Sequence, residues 1–322
     1  ETIKPSSLTP SNLKTHVLTS VDYYMPAIPV PFNYNNGEIN ILMKSLSQCL
    51  TQFVSPSMSH IDCNDEVVEF LEASHDRRLE DFNLNDESLH ELVPNIGENF
   101  PNLLNHFKGD GVTVGVSIWH KAADRFAFAT FINQWAKVTR GESPFKPNFI
   151  TSSISHINNV KQPEVVSKSP HQGKYVQRTF VFLNSKLNEL KKKVMSSTDI
   201  VNMRNKVIKN KLEKAVGNIV VVVVEKVRDS REIALNEIVS KLRKIKWKLK
   251  KLEIFCWFPL YEVNFGWGMP VKVKYLMPKV DDKNLVLMDT PHKDGIEAIV
   301  SFLEEEMMIF QQNKELLAYV DV

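Results

Sequence analysis

The chain has 322 residues, a length that fits about two domains. Hydrophobic side chains make up 43% of it, enough for a sizeable core and too many for a disordered chain. The longest aliphatic run, Ile219–Val224, is far shorter than the roughly 18 residues of a membrane span, and Cys49, Cys63 and Cys256 are too few and too scattered for a disulfide framework or a cysteine zinc site.

The polar, proline-punctuated segment Glu1–Lys14 does not read as a signal peptide, so a reducing, cytoplasmic setting is expected. The net charge of +2 hides a segregation: Lys174–Lys251 holds 21 Lys and Arg against 7 Asp and Glu. A basic half beside an acidic half fits a solvated lysine-rich face or the attraction of an anionic ligand.

In chain order, residues 1–14 read as extended around Pro5 and Pro10. Ile39–Phe53 carries apolar residues at helical spacing: Ile41, Leu42, Leu46, Cys49, Leu50 and Phe53. Val67–Leu71 is expected as a short strand and Asp86–Val93 as a short helix ended by Pro94. After the Gly109–Gly111 turn, Val112, Val114, Val116 and Ile118 alternate as a strand does. The period then changes, and Phe128, Phe131, Ile132 and Trp135 share a helical face that ends near Arg140–Gly141.

Residues 141–173 lack periodicity and are read as a linker or crossover. Beyond them, Val176–Phe182 reads as a strand, Ser185–Met195 as a charged helix and Gly217–Val224 as a buried strand. Arg231–Lys251 is expected as a long basic helix, Val271–Leu276 and Asn284–Met288 as strands, and Gly295–Leu317 as a strand passing into an acidic helix. Interleaved strands and helices make the class α/β, with no internal repeat.

Two short segments carry chemistry. His120 follows the strand at Val112–Ile118, where side chains project into a crevice, and Asp124 opens the next helix. A histidine with an ordinary pKa near 6.5 suits removal of a proton from an alcohol at neutral pH. Alone, His-x-x-x-Asp describes a surface histidine with a capping Asp just as well. In Tyr261–Pro270, Gly266 and Gly268 bracket Trp267, which allows a sharp turn, close backbone approach and a Trp that plugs the core.

HKAAD (His120–Asp124), FINQWA in the following helix and NFGWG (Asn264–Gly268) together resemble the plant BAHD acyl-CoA-dependent acyltransferase family, and most closely its alkaloid acetyltransferases. IKPSSLTPSNLK, SLSQCLTQF, IDCND, VNMRNKV, AVGNIV and the closing MDT…DGIEAIVSFLEEEM agree with the same family in order.

The resemblance implies a chloramphenicol-acetyltransferase-like fold: two similar-sized α/β domains, mixed sheets with flanking helices, and a solvent channel between them. It places an N-terminal domain at 1–150, joined by about 264–293, a crossover at 151–175, and a C-terminal domain at 176–322 with the NFGWG loop at the interface. It further implies transfer of an acetyl or other acyl group from acyl-CoA to a hydroxyl of a specialised metabolite, an alkaloid by clade. His120 is then the general base, and Asp124 points away to pair with Arg204. Asn264, Gly266, Trp267 and Gly268 shape the channel, and neither a metal nor an enzyme nucleophile is needed. Acyl-CoA and a small alcohol are the partners; a monomer without nucleic-acid or membrane binding is expected.

The chain departs from the family at four places. Asn264 stands where relatives have Asp, Arg125 where they have a small residue, VSPSMS (Val54–Ser59) where they have YPLAGR, and Trp257 where they have Arg. With charge given up at both Trp257 and Asn264, the ion pair anchoring the loop is expected to be lost. Apparent gaps before Leu103, between Thr198 and Val201, and between Lys251 and Ile254 keep a second reading open, a degenerate member that only binds. A third, nucleic-acid, membrane or calmodulin binding through Lys241–Lys251, is weakened because the basic residues spread around the helix.

Overall fold

The computed structural model describes residues 2–7, 15–17, 27–35, 37, 41–50, 60–62, 68–82, 92–93, 102–119, 125–143, 148–149, 173–195, 215–216, 259–276 and 284–321, and the architecture given is that of these residues. The strands are β1 Thr2–Ile3, β2 Thr15–Val17, β3 Ala27–Tyr34, β4 His60–Asp62, β5 Val68–His75, β6 Asn102–Phe107 and β7 Val112–Trp119. They continue with β8 Asn148–Phe149, β9 Tyr175–Leu183, β10 Ala215–Val216, β11 Lys272–Val273, β12 Asn284–Asp289 and β13 Gly295–Leu303. Helices α1 Leu42–Leu50, α2 Arg125–Thr139 and α3 Asn184–Met195 are followed by Glu304–Gln311 and Lys314–Leu317.

A six-stranded sheet runs in the order β1-β5-β6-β7-β3-β11. It is mixed, because β5 and β6 are parallel while the other neighbours are antiparallel. A three-stranded antiparallel sheet, β12-β13-β9, forms a second layer. The α/β class expected from the sequence stands. The largest cluster of buried apolar residues draws on both sheets, with Val30, Phe32, Val114 and Val116 beside Val286, Met288 and Ile299.

Among the strands of six residues or more, β3 and β6 escaped the sequence reading. β3 contains Pro29 and Pro31, each without an N–H for the ladder, yet it pairs with β7 along its whole length. Pro31 turns its carbonyl to the Lys274 N–H on the β11 side, so its missing N–H faces the short neighbour and costs the β7 ladder nothing. β6 shows no alternation because Asn102 and Asn105 are buried too; Asn105 bonds His75 Nε2 at 2.8 Å and donates to the Leu92 carbonyl.

The strand expected at Val271–Leu276 is only the two residues of β11, and a two-residue strand, β8, lies inside the stretch read as a linker. Asp86–Glu91, Gly217–Val224 and Arg231–Lys251 lie outside the described residues.

α1 and α2 are tied by more than apolar contact. Trp135, fully buried, donates Nε1 to the Leu42 carbonyl at 3.2 Å and to Ser45 Oγ at 3.0 Å. Ser45 Oγ also meets Thr139 Oγ1 at 2.8 Å. Among the described residues no helix is long and apolar enough to cross a membrane.

Candidate active site

β7 and α2 are the two arms around the motif. β7 ends at Trp119 and α2 begins at Arg125; His120, Asp124, Arg204 and Trp257 lie outside the described residues, as does the side chain of Arg125. Val112, Val114 and Val116 are buried on β7, and Phe128, Ile132 and Trp135 are buried on α2, and all six belong to one apolar cluster.

The other glycine-rich segment closes the opposite end of that unit. Asn264 Oδ1 accepts the N–H of Gly266 at 2.8 Å and of Gly268 at 3.1 Å. Both glycines have positive φ, 108° and 93°, which lets two amides converge on one oxygen. The turn throws Phe265 and Trp267 onto Tyr34, with ring centroids 6.0 and 5.5 Å away in edge-to-face contact. Phe265 also meets Trp135 at 5.1 Å. Trp267 lies so close over Gly37 that a Cβ there would sit 2.9 Å from the indole. The Tyr34 hydroxyl donates to the Val263 carbonyl at 3.0 Å and completes the dock.

The loop is anchored, but not through the side-chain ion pair whose loss the sequence suggested. Asn264 supplies the acceptor oxygen internally, and Arg140, at the end of α2, donates Nη1 to the Asn264 backbone carbonyl. Tyr34 pairs with Val112 at the start of β7, and Arg140 follows the last residue of α2. The loop therefore sits at the far end of both arms from the motif, ~26 Å along β7 and ~22 Å along α2.

Because the Asn264 oxygen already caps two amides, Asn264→Asp should strengthen both bonds to the charge-assisted kind beside a guanidinium. A rise in Tm of ~2 °C is expected in a thermal melt. A fall would mean that the Asn264 amide group, not its oxygen, holds the turn.

A second polar group sits where the sheets meet. Lys272 Nζ lies 2.6 Å from Glu297 Oε1, and Lys274 Nζ donates to Thr179 Oγ1. Glu297 and Lys274 are each 1% exposed, and Glu297 Oε2 has no hydrogen-bond partner. Burial, then the Lys272 cation, lower the Lys274 pKa to about 8 against the pull of Glu297. Burial and Glu297 together hold the Tyr261 phenol well above its ordinary pKa, its hydroxyl donating to the Val273 carbonyl. Neither Arg140 nor this cluster was singled out from the sequence; each depends on a contact between segments far apart in the chain. Among the described residues no three His, Cys, Asp or Glu side chains converge as a metal site would need.

A mixed-sheet α/β fold with the strand–motif–helix unit and the glycine-bracketed Trp defines an acyltransferase class, and comparison with known proteins agrees. The chain belongs to the Transferase family, the BAHD acyl-CoA-dependent acyltransferases, whose model matches residues 1–200 and 252–317. Acyl-CoA is accordingly its co-substrate.

It is 29% identical to stemmadenine O-acetyltransferase of Catharanthus roseus, covering 97% of this chain and 95% of the relative. It is 30% identical to BAHD acyltransferase BIA1 of Arabidopsis thaliana, over 99% and 96%. The crystal structure of vinorine synthase, an enzyme of Rauvolfia serpentina, superposes with a TM-score of 0.69 at 25% identity, over 100% of this chain and 97% of that one. The first alignment runs over 406 positions against a chain of 322 residues, so that relative carries internal stretches with no counterpart here. The family match also skips 201–251, and Arg204 with it.

Proposed function

We propose that the chain moves an acetyl group from acetyl-CoA to a hydroxyl of a plant alkaloid, with His120 as general base. The observation that carries this reading is the strand–helix unit itself: His120–Asp124 lies between the C-terminal end of β7 and the first turn of α2, the end of a strand where ligands approach α/β sheets. Relatives whose names specify acetyl transfer to stemmadenine and deacetylvindoline support an alkaloid acceptor.

In the proposed reaction His120 takes the hydroxyl proton as the oxygen attacks the thioester carbonyl. The tetrahedral oxyanion collapses, the C–S bond breaks and CoA thiolate leaves, to be protonated by the imidazolium or by water. The thioester is already activated, so alignment of the two substrates supplies much of the acceleration. Asp124 is assigned to the shape of the segment through Arg204, and Asn264, Gly266, Trp267 and Gly268 to the remote loop. The division into domains at 1–150 with about 264–293, and at 176–322 after a crossover at 151–175, belongs to the same proposal, as do a monomeric state and a cytoplasmic location.

Purified protein incubated with acetyl-CoA and a panel of hydroxylated indole alkaloids should release free thiol and give a product 42 Da heavier on mass spectrometry. Absence of thiol release across acyl-CoAs and acceptors would overturn the reading. The degenerate alternative is favoured by the stretches with no counterpart here and by the unmatched Arg204 segment. It predicts CoA binding in calorimetry without turnover.

A further inference from the structure

α2 ends in a motif that aims one side chain. Gly141 donates its N–H to the Val138 carbonyl at 2.9 Å and Glu142 to the Lys137 carbonyl at 3.0 Å, with Gly141 at φ 84°. This is the Schellman closure, in which a left-handed residue reverses the chain and satisfies the last carbonyls of the helix. The reversal brings Glu142 back alongside Arg140. Its carboxylate takes Nε at 3.0 Å and Nη2 as well, and the fork is left with Nη1 directed at the Asn264 carbonyl.

The guanidinium plane is rigid, so fixing two of its nitrogens on Glu142 fixes the direction of the third. The methylene stem of Arg140 also lies along the loop, with Cγ 3.9 Å from where a Gly266 Cβ would be.

The loop held in this way touches both arms of the motif-bearing unit. Through Phe265 it meets Trp135 on α2, and through Phe265 and Trp267 it meets Tyr34, whose strand runs beside β7. The arms are joined at one end by the motif and at the other by this loop. Their mutual angle is therefore set at two places, and among the described residues the loop end is held by a directed polar bond from α2 itself. A small rotation of α2 about its far end displaces its first turn by ångströms, a displacement that costs orders of magnitude in a reaction needing aligned groups.

We propose that Arg140 is a positioning residue for acyl transfer. Held in direction by Glu142, it clamps the Asn264 carbonyl and so fixes α2 against β7 at the end remote from His120. The inference rests on the assigned role of His120, but its structural half does not. Arg140 follows the last residue of α2, at the opposite end of the helix from the motif, so its loss lowers kcat without moving the pH profile.

Two measurements on the whole chain test this. Hydrogen exchange read by mass spectrometry on peptides covering 264–268 should rise at least tenfold in Arg140→Ala, because the Gly266 and Gly268 amides lose the frame that holds their acceptor. In the same variant kcat should fall about tenfold with the acid limb of kcat/KM against pH unmoved. Arg140→Lys, which keeps one donor, should recover part of both. Glu142→Gln sits on an exposed side chain, leaves the fold intact and should give a smaller change of the same kind, which serves should Arg140→Ala not fold. Wild-type exchange in both Arg140→Ala and Glu142→Gln would overturn the clamp. Raised exchange with unchanged kcat would overturn its role in the reaction. Wild-type protein that transfers no acyl group overturns the functional reading and the kinetic half together, while the exchange arm still decides the clamp.

Discussion

His120→Ala should lower kcat/KM by ~10²–10⁴-fold while acyl-CoA still binds, because only the proton transfer is removed. The neutral imidazole is the working form in the proposed mechanism. Activity should therefore climb with pH on the acid side as the imidazole loses its proton, and that limb should vanish in the variant. Rates across pH 5–9, with CoA affinity measured alongside, check both points. A variant that keeps wild-type turnover would remove His120 from the chemistry. One that loses CoA binding as well would have lost the shape of the site rather than its base. Arg125 begins α2 one residue past the motif; Arg125→Ala should shift the acid limb upward only if its cation bears on the imidazole, and an unmoved limb assigns it to solvent.

What the sequence showed of this arrangement divides along physical lines. β7 and α2 were legible because their large apolar residues recur at the period of the element: Val112, Val114 and Val116 on alternate positions, and Phe128, Ile132 and Trp135 on helical ones. β3 was not, since Pro29 and Pro31 are tolerated only through the side of the sheet they face, a property of the neighbour rather than of the segment. β6 hid its strand character behind buried Asn102 and Asn105, and the partners of Asn105, His75 and Leu92, lie elsewhere in the chain.

The NFGWG loop could be recognised as a turn with a packing Trp, and its glycines do adopt positive φ. That Asn264 would cap two amides is a local fact readable from an Asx residue ahead of two glycines. The Arg140 bond spans 124 residues and depends on how α2 ends, so no window of sequence contains it. Only the Arg-Gly-Glu order at the helix terminus gave a sign, and it marked a helix end without a destination.

The charged cluster at the sheet junction was equally invisible, and a large stability effect is expected from it. Lys272 and Lys274 come from β11 and the residue after its end, Glu297 from β13, and Glu297 is the carboxylate facing both cations. Glu297→Ala should destabilise the fold by ~3–5 kcal/mol at pH 7, since it leaves two largely buried ammonium groups with no opposite charge. The loss should be smaller at pH 9. Lys274, with a folded pKa of about 8 against an ordinary 10.5, releases its proton in the folded state first, so above pH 8 only Lys272 remains to be neutralised.

The same linkage gives the wild type a pH dependence of known sign. Between pH 8 and 10.5 the unfolded chain keeps the Lys274 proton that the folded chain has lost, so this group's contribution to stability rises with pH; below 8 its penalty is complete and constant. The window for observing it is pH 8–9, because burial holds the Tyr34 and Tyr261 phenols and the Cys49 thiol above their ordinary values and their contributions run the other way as pH climbs further. Lys274→Met, which keeps the length and apolar stem without the charge, should be as stable as wild type or more so at pH 7 and should flatten the rise. Urea melts of the wild type and both variants at pH 7, 8 and 9 decide the matter. A Glu297→Ala loss that does not shrink with pH would mean either that Lys274 stays charged in the folded state or that the carboxylate serves Lys272 alone.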